Sequence, residues 1–159
     1  MAVFLSGHSR CALCHEVLEE GQEIRAFSAI VPNRLDPLHL FNDAAFHKNC
    51  FKNHPMMSRI KRIDCCLRAN FRNRTTPVCN LSIDCPNDYF ATGYLAEAGD
   101  LAPFNLLQFH VGCLRQWKGL ASFERALDKA VGNRTFENEI TVAYFKRELA
   151  KSKDNGSQR

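Results

Sequence analysis

No apolar run in the 159 residues approaches the ~20 needed to cross a bilayer, so no membrane span is expected. The opening MAVFLSGHSR has neither a basic leader nor a long apolar stretch, and no secretory signal is read there. Also missing are a glycine-rich phosphate loop, a serine at a nucleophile elbow and a carboxylate pair at a telling spacing. Their absence removes the commonest nucleotide-binding and hydrolase signatures. Charge of one sign is only mildly in excess, and a net charge of +4 permits an acidic partner without demanding one. The length suits one ordinary domain or two small ones.

Cysteine, in contrast, is abundant at eight residues. In a chain without an export signal, cysteines serve more often as thiolates or metal ligands than as cystines. That reading places the protein in a reducing compartment, the cytoplasm or, in a eukaryote, the nucleus. Histidine stands beside cysteine at ligand spacing, which strengthens the metal reading.

The most informative feature is an internal repeat. Residues 41–51 read FNDAAFHKNCF and residues 104–114 read FNLLQFHVGCL. Phe41, Asn42, Phe46, His47 and Cys50 align without a gap on Phe104, Asn105, Phe109, His110 and Cys113. A cysteine pair precedes each copy: Cys11-x-x-Cys14 before the first, Cys79-x5-Cys85 before the second. The chain divides accordingly into a first zinc unit (1–56), a basic connector (57–76), a second zinc unit (77–118), C-terminal helices (119–150) and a disordered tail (151–159).

Glycines between short apolar segments place β-hairpins at Gly21, joining Val17-Leu18 to Ile24–Phe27, and at Gly93, joining Tyr89-Phe90 to Tyr94-Leu95. A short helix is expected from about His47 to Pro55. In the connector, Ile60, Ile63, Leu67 and Phe71 recur at helical spacing. A longer helix is expected through Leu114, Trp117, Leu120, Phe123, Leu127 and Val131, stopping at Gly132-Asn133. Thr135 is the expected cap of a last helix carrying Phe136, Ile140 and Tyr144.

Structural zinc takes four tetrahedral ligands, usually thiolate and imidazole. A Cys-x-x-Cys turn offers two sulfurs on one side of an ion. A His-x-x-Cys pair at a helix start offers two more on one face. The expected sites are Cys11, Cys14, His47 and Cys50 for one Zn2+, and Cys79, Cys85, His110 and Cys113 for a second, giving two zinc ions per chain. A cross-braced topology competes, joining Cys11 and Cys14 to Cys79 and Cys85. The repeat favours sequential pairing, since each copy then carries a complete site. Cys65 and Cys66 read as buried thiols on the connector helix or, alternatively, as replacement ligands. Four protein ligands leave no open position on the metal, so zinc catalysis is not expected.

Phe46-His47-Lys48-Asn49-Cys50-Phe51 and Phe109-His110-Val111-Gly112-Cys113-Leu114-Arg115-Gln116-Trp117 resemble the helix start of RING-H2 fingers. Cys11-Ala12-Leu13-Cys14 followed by Glu20-Gly21-Gln22-Glu23-Ile24 is similar to the first half of a LIM finger. The resemblance covers about 45 residues of the first unit and about 40 of the second. It implies a small α+β zinc-binding fold of two tandem treble-clef-like units, each a knuckle, a β-hairpin and a helix, with a basic connector and a C-terminal helical extension. The RING pattern departs where Asn42, Ala44, Asn105 and Leu107 replace upstream ligands and where no Cys-x-x-Cys follows either helix. Each unit would then be a one-zinc relative.

The RING comparison implies a protein-interaction module, a RING-like E3 scaffold without a catalytic residue of its own or an adaptor, whose partner is a ubiquitin-like conjugating enzyme. Leu13, Val17, Ile24, Phe51, Leu114 and Trp117 would face that partner. The alternative is nucleic-acid binding through Arg59, Lys61, Arg62, Arg68, Arg72 and Arg74, which could neutralise phosphates.

Overall fold

The computed structural model describes residues 4–72, 76, 78 and 89–154, with the side chains of all but 71 and 152–154. Among the described residues, the fold is a small mixed α/β arrangement of two two-stranded antiparallel sheets and several helices. In the first half, residues 9–18 close a tight loop: Arg10 bridges Val17, and Leu18 N–H donates to the Ser9 carbonyl at 2.8 Å. Strand β1 (Ile24–Ala26) pairs with β2 (Ala45–His47), Ile24 opposite His47. Helix α1 (Lys48–Lys52) starts directly after His47, and α2 (Met57–Arg72) follows. In the second half, β3 (Tyr89–Ala91) pairs with β4 (Gln108–His110), Tyr89 opposite His110. A 3-10 segment (Val111–Gln116), α3 (Leu120–Gly132) and α4 (Glu139–Asp154) follow.

The repeat reaches further in space than in sequence. Asn42 Oδ1 accepts from the Ile30 and Val31 N–H groups at 2.7 and 3.0 Å, and its Nδ2 donates to the Val31 carbonyl. Asn105 does the same to Leu95, Ala96 and the Ala96 carbonyl, at 2.6, 3.1 and 2.6 Å. The next residue takes a left-handed turn in both copies, Asp43 at φ 47° and Leu106 at φ 61°. Phe27 N–H then donates to Ala44 as Thr92 N–H does to Leu107. Each asparagine therefore clips the chain after the first strand to the chain before the second. That closure satisfies three backbone groups in each copy that would otherwise be buried unpaired.

Two of the expected hairpins take a different form. Gly21 and Gly93 do turn the chain, at φ +84° and +65°, but the segments flanking each do not pair with one another. Val17-Leu18 pair back onto Ser9-Arg10, and Tyr94-Leu95 are not strand. The partners of β1 and β3 come from the repeated Phe-His segments, because that pairing places Phe46 and Phe109 at zero exposure in their cores. The helix expected from Leu114 onward is broken at Trp117, whose backbone is extended (ψ 112°). Its indole lies over Gly119, where any Cβ would come within 2.7 Å of the ring. Asn138 rather than Thr135 caps α4, its Oδ1 accepting from Thr141 N–H at 3.0 Å. The Thr135 hydroxyl instead donates to the Ala130 carbonyl at the end of α3.

Two hydrophobic clusters result among the described residues. The first gathers Leu18, Phe27, Phe41, Phe46 and Phe51 with Ile60 and Ile63 of α2. The second gathers Phe90, Phe109 and Leu114 with Phe123, Leu127 and Phe145 of α3 and α4. Buried Asn33 joins the halves: it accepts from Glu137 N–H (2.9 Å) and donates to the Thr135 carbonyl (2.9 Å). On the other side, Asn70 of α2 donates to Leu106 and accepts from Gln108. Among the described residues, no helix is long and apolar enough to cross a membrane.

Candidate metal centre

The first loop is shaped to present sulfur. Cys11 N–H donates to the Glu16 carbonyl and His15 N–H to the Cys11 carbonyl, both at 2.8 Å. His15 supplies the left-handed corner at φ 65°, where the Arg10 guanidinium donates to its carbonyl. Ala12 N–H donates to Ala45, fastening the loop to β2. His47 ends that strand and Cys50 lies in the first turn of α1. Cys11, Cys14, His47 and Cys50 converge, with their ligand atoms all within 4.8 Å of one another. Cys14 Sγ lies 3.4 Å and Cys50 Sγ 3.9 Å from His47 Nδ1. A tetrahedral ion with bonds of about 2.3 Å to sulfur and 2.0 Å to nitrogen needs ligand separations of about 3.6 Å, so the residues present fit such a group. This convergence is the sequential pairing for the first four ligands.

Gln22 was not singled out by sequence reading. Glu19 N–H approaches Gln22 Oε1 at 2.8 Å, which identifies that end of the amide as the oxygen. The same oxygen lies 3.1 Å from His47 Nε2. Nε2 must therefore carry the proton, and Nδ1 turns its lone pair toward the sulfurs. The available signal was Gln22 next to Gly21, one residue beyond a turn whose position was read correctly.

The thiols are electrostatically crowded. Burial pushes the Cys11 thiol up, but hydrogen bonds from the backbone of Cys14, Leu13 and His47 and from the Cys14 side chain outweigh it and bring the group to about 6. Burial, the Cys14 thiol and the negative charge of Cys11 push Cys50 up to about 11. Three thiols this close cannot all ionise readily unless a cation lies between them.

Cys79 and Cys85 lie outside the described residues, as does Arg74. His110 and Cys113 occupy the places of His47 and Cys50 in the second copy: His110 ends β4 and Cys113 sits in the turn that follows. Among the described residues, one group of ligand-type side chains converges, the first. Cys65 and Cys66 are exposed, not buried, because α2 turns Ile60 and Ile63 to the core instead.

Of the residues expected at a partner surface, Phe51 and Leu114 are at 2% and 0% exposure, committed to the two cores. Trp117 packs on Phe104, Phe109 and Phe123. Leu13, Val17 and Ile24 remain half-buried. The connector arginines have more acidic partners than Asp64 alone. Arg59 reaches Glu97 at 2.6 Å and Asp36 at 3.7 Å, Arg62 approaches Glu97 at 3.8 Å, and Arg68 pairs with Asp64 at 2.9 Å.

No protein-family model matches the chain, and neither does any curated protein or solved structure.

Proposed function

We propose that this protein is a zinc-stabilised protein-interaction module built from two treble-clef-like units, each holding one Zn2+. The observation that carries the reading is the meeting of Cys11, Cys14, His47 and Cys50, three thiols and an imidazole whose ligand atoms all lie within 4.8 Å of one another. Soft thiolate and imidazole donors in that number suit zinc, and a four-ligand site has no position left for water, so the ion supports the fold. Cys79, Cys85, His110 and Cys113 form the second site of this reading. Its support is that the repeated strand register puts His110 and Cys113 where His47 and Cys50 stand. The compartment is a reducing one, cytoplasmic or nuclear.

The RING-H2 resemblance extends the reading to a RING-like E3 scaffold or adaptor that receives a ubiquitin-like conjugating enzyme. Leu13, Val17 and Ile24 beside the first site remain as partner contacts. Nucleic-acid binding is the less favoured reading, since Arg59, Arg62 and Arg68 are engaged by carboxylates of the chain itself.

Elemental analysis of the full chain tests the foundation, with two zinc ions per chain expected. A metal-free chain that keeps its fold, or cystines among these six ligand sulfurs, would overturn the reading. Binding of immobilised conjugating enzymes, lost on Ile24→Asp, tests the partner class. Retention of no conjugating enzyme from a complete panel would remove the ligase branch.

A further inference from the structure

Among the described residues, β2 alone pairs with β1, and no strand lies on its outer edge. Phe27 N–H donates to Ala44 and the Glu23 carbonyl accepts from Lys48, so residues 23, 25 and 27 turn their peptide groups toward β2. By the alternation of an antiparallel pair, Ala26 and Ser28 turn theirs outward. No described residue hydrogen-bonds to that outer side of Ala26 or Ser28. The edge borders a channel whose far wall is α2. Two adjoining hollows of about 400 and 430 Å³ form it, sharing Ala26, Phe27, Asp64 and Arg68. Phe27, Ile30 and Leu67 give it an apolar floor.

Its charge is one-sided. Arg25, Lys61, Arg68 and Arg72 line it, against Asp64 as the one acidic residue among the described lining residues. Arg68 occupies Asp64. Arg25, Lys61 and Arg72 form no ion pair with any described residue. An unpaired strand edge recognises backbone, an apolar floor takes small side chains, and uncompensated cations select acidic ones. We propose that this channel docks an extended acidic peptide segment of a partner protein, which adds to β1 as a third strand. Every second side chain would be Glu or Asp facing α2, with small apolar residues between. This rests on the interaction-module reading and names the chemistry of the partner segment.

The test uses the full chain with its zinc content measured on the same sample. The probes are acetyl-TEVEVET-amide, its serine and lysine counterparts (TSVSVST, TKVKVKT) and a twelve-residue oligothymidylate. The acidic peptide should bind at least about tenfold tighter than the serine peptide, with the lysine peptide not binding. Binding should slow hydrogen exchange at the Ala26 and Ser28 amides. Lys61→Glu combined with Arg72→Glu should lose at least about tenfold while thermal unfolding is unchanged, since both side chains are exposed. Equal binding of the serine peptide, protection gained elsewhere, no binding of any peptide, or tighter oligothymidylate binding lost in the same variant would each overturn the proposal. Zinc-loaded protein without peptide binding sinks the channel alone. Peptide binding by metal-free, folded protein sinks the zinc module and leaves the channel standing.

Discussion

The two repeats share an asparagine clip, a strand register and a His-x-x-Cys pair, yet they close their cores in different ways. In the first, the helix after His47 has five residues, and Cys11 is itself a fully buried member of the hydrophobic cluster. Ligand set and core are one structure there, so removing an ion would open the core. In the second, the chain continues into α3 and α4, which deliver Phe123, Leu127, Phe145 and Leu149 onto Phe90 and Phe109. Ring centroids of 5.5 Å between Phe123 and Phe145 and 5.7 Å between Phe90 and Phe145 show rings from the sheet and both helices in contact. The contrast suggests that one supersecondary unit can be stabilised by a cross-linking cation or by extra apolar chain, in proportions that differ between copies.

Metal removal gives the largest expected difference. Structural zinc supplies an apparent ~10–16 kcal/mol, comparable to the whole stability of a small domain. Chelation, or Cys11→Ser, should collapse hydrogen-exchange protection across β1, β2 and α1. The amides of α3 and α4 should keep most of theirs. If β2 stays protected in chelator, the first core does not depend on a cation and the comparison fails.

The asparagine clips come next. Asn42→Ala and Asn105→Ala each strand two backbone N–H groups and a carbonyl in half-buried surroundings, and each should cost about 2–3 kcal/mol by denaturant unfolding. The similarity of the two losses is the prediction. Asn42→Ala should also weaken metal uptake, because the clip holds the strand that carries His47. A loss confined to one copy would mean that the shared geometry is not shared energetically.

Much of this was legible from the repeat. Five aligned identities singled out His47 and Cys50, which converge with Cys11 and Cys14, and marked His110 and Cys113 as their counterparts, but gave no sign of the second strands or of the asparagine clips. The helices at 57–72 and 120–132 followed from apolar spacing. Strand pairing was not legible locally. A turn at Gly21 is compatible with pairing to either neighbour, and burial of Phe46 against distant residues decided between them. Trp117 read as a helix position because its spacing fits, and the close approach of its ring to Gly119 cannot be seen in a one-dimensional pattern. Ile140, 77% exposed, shows the same limit on α4. Gln22 was missed because a side chain that orients a ligand carries no spacing rule of its own.

Gln22 offers a finer probe of the first unit alone. Losing the partner of a ligating imidazole typically costs 10–100-fold in metal affinity. Gln22→Ala should fall in that range by competition with a chromophoric chelator, and Gln22→Glu should restore affinity because a carboxylate also accepts from Nε2. Nitrogen NMR should report His47 ligated through Nδ1 in the parent protein. An Nε2-ligated His47, or unchanged affinity in Gln22→Ala, would show that the contact is incidental.

The smallest expected effect lies on the other side of the comparison, where the helical cap carries its own charge device. The Glu148 carboxylate on α4 is buried while Lys151 (2.9 Å) and Arg147 (3.0 Å) reach it from solvent. The hydrogen bond from Lys151 leads, burial opposes it, and Arg147 adds to it, so the carboxyl titrates below its ordinary 4.5. Because the folded value is depressed, the stabilisation is fully present above pH 4.5 and is lost as pH falls through the lower folded value. Both cations are more than half exposed, so the contribution should stay under about 1 kcal/mol. Glu148→Gln should remove that acid dependence from α3–α4 unfolding and leave metal retention in the first unit unchanged. Release of the first unit's metal by the same substitution would show that the two cores are coupled through the Asn33 contact and are not separately closed.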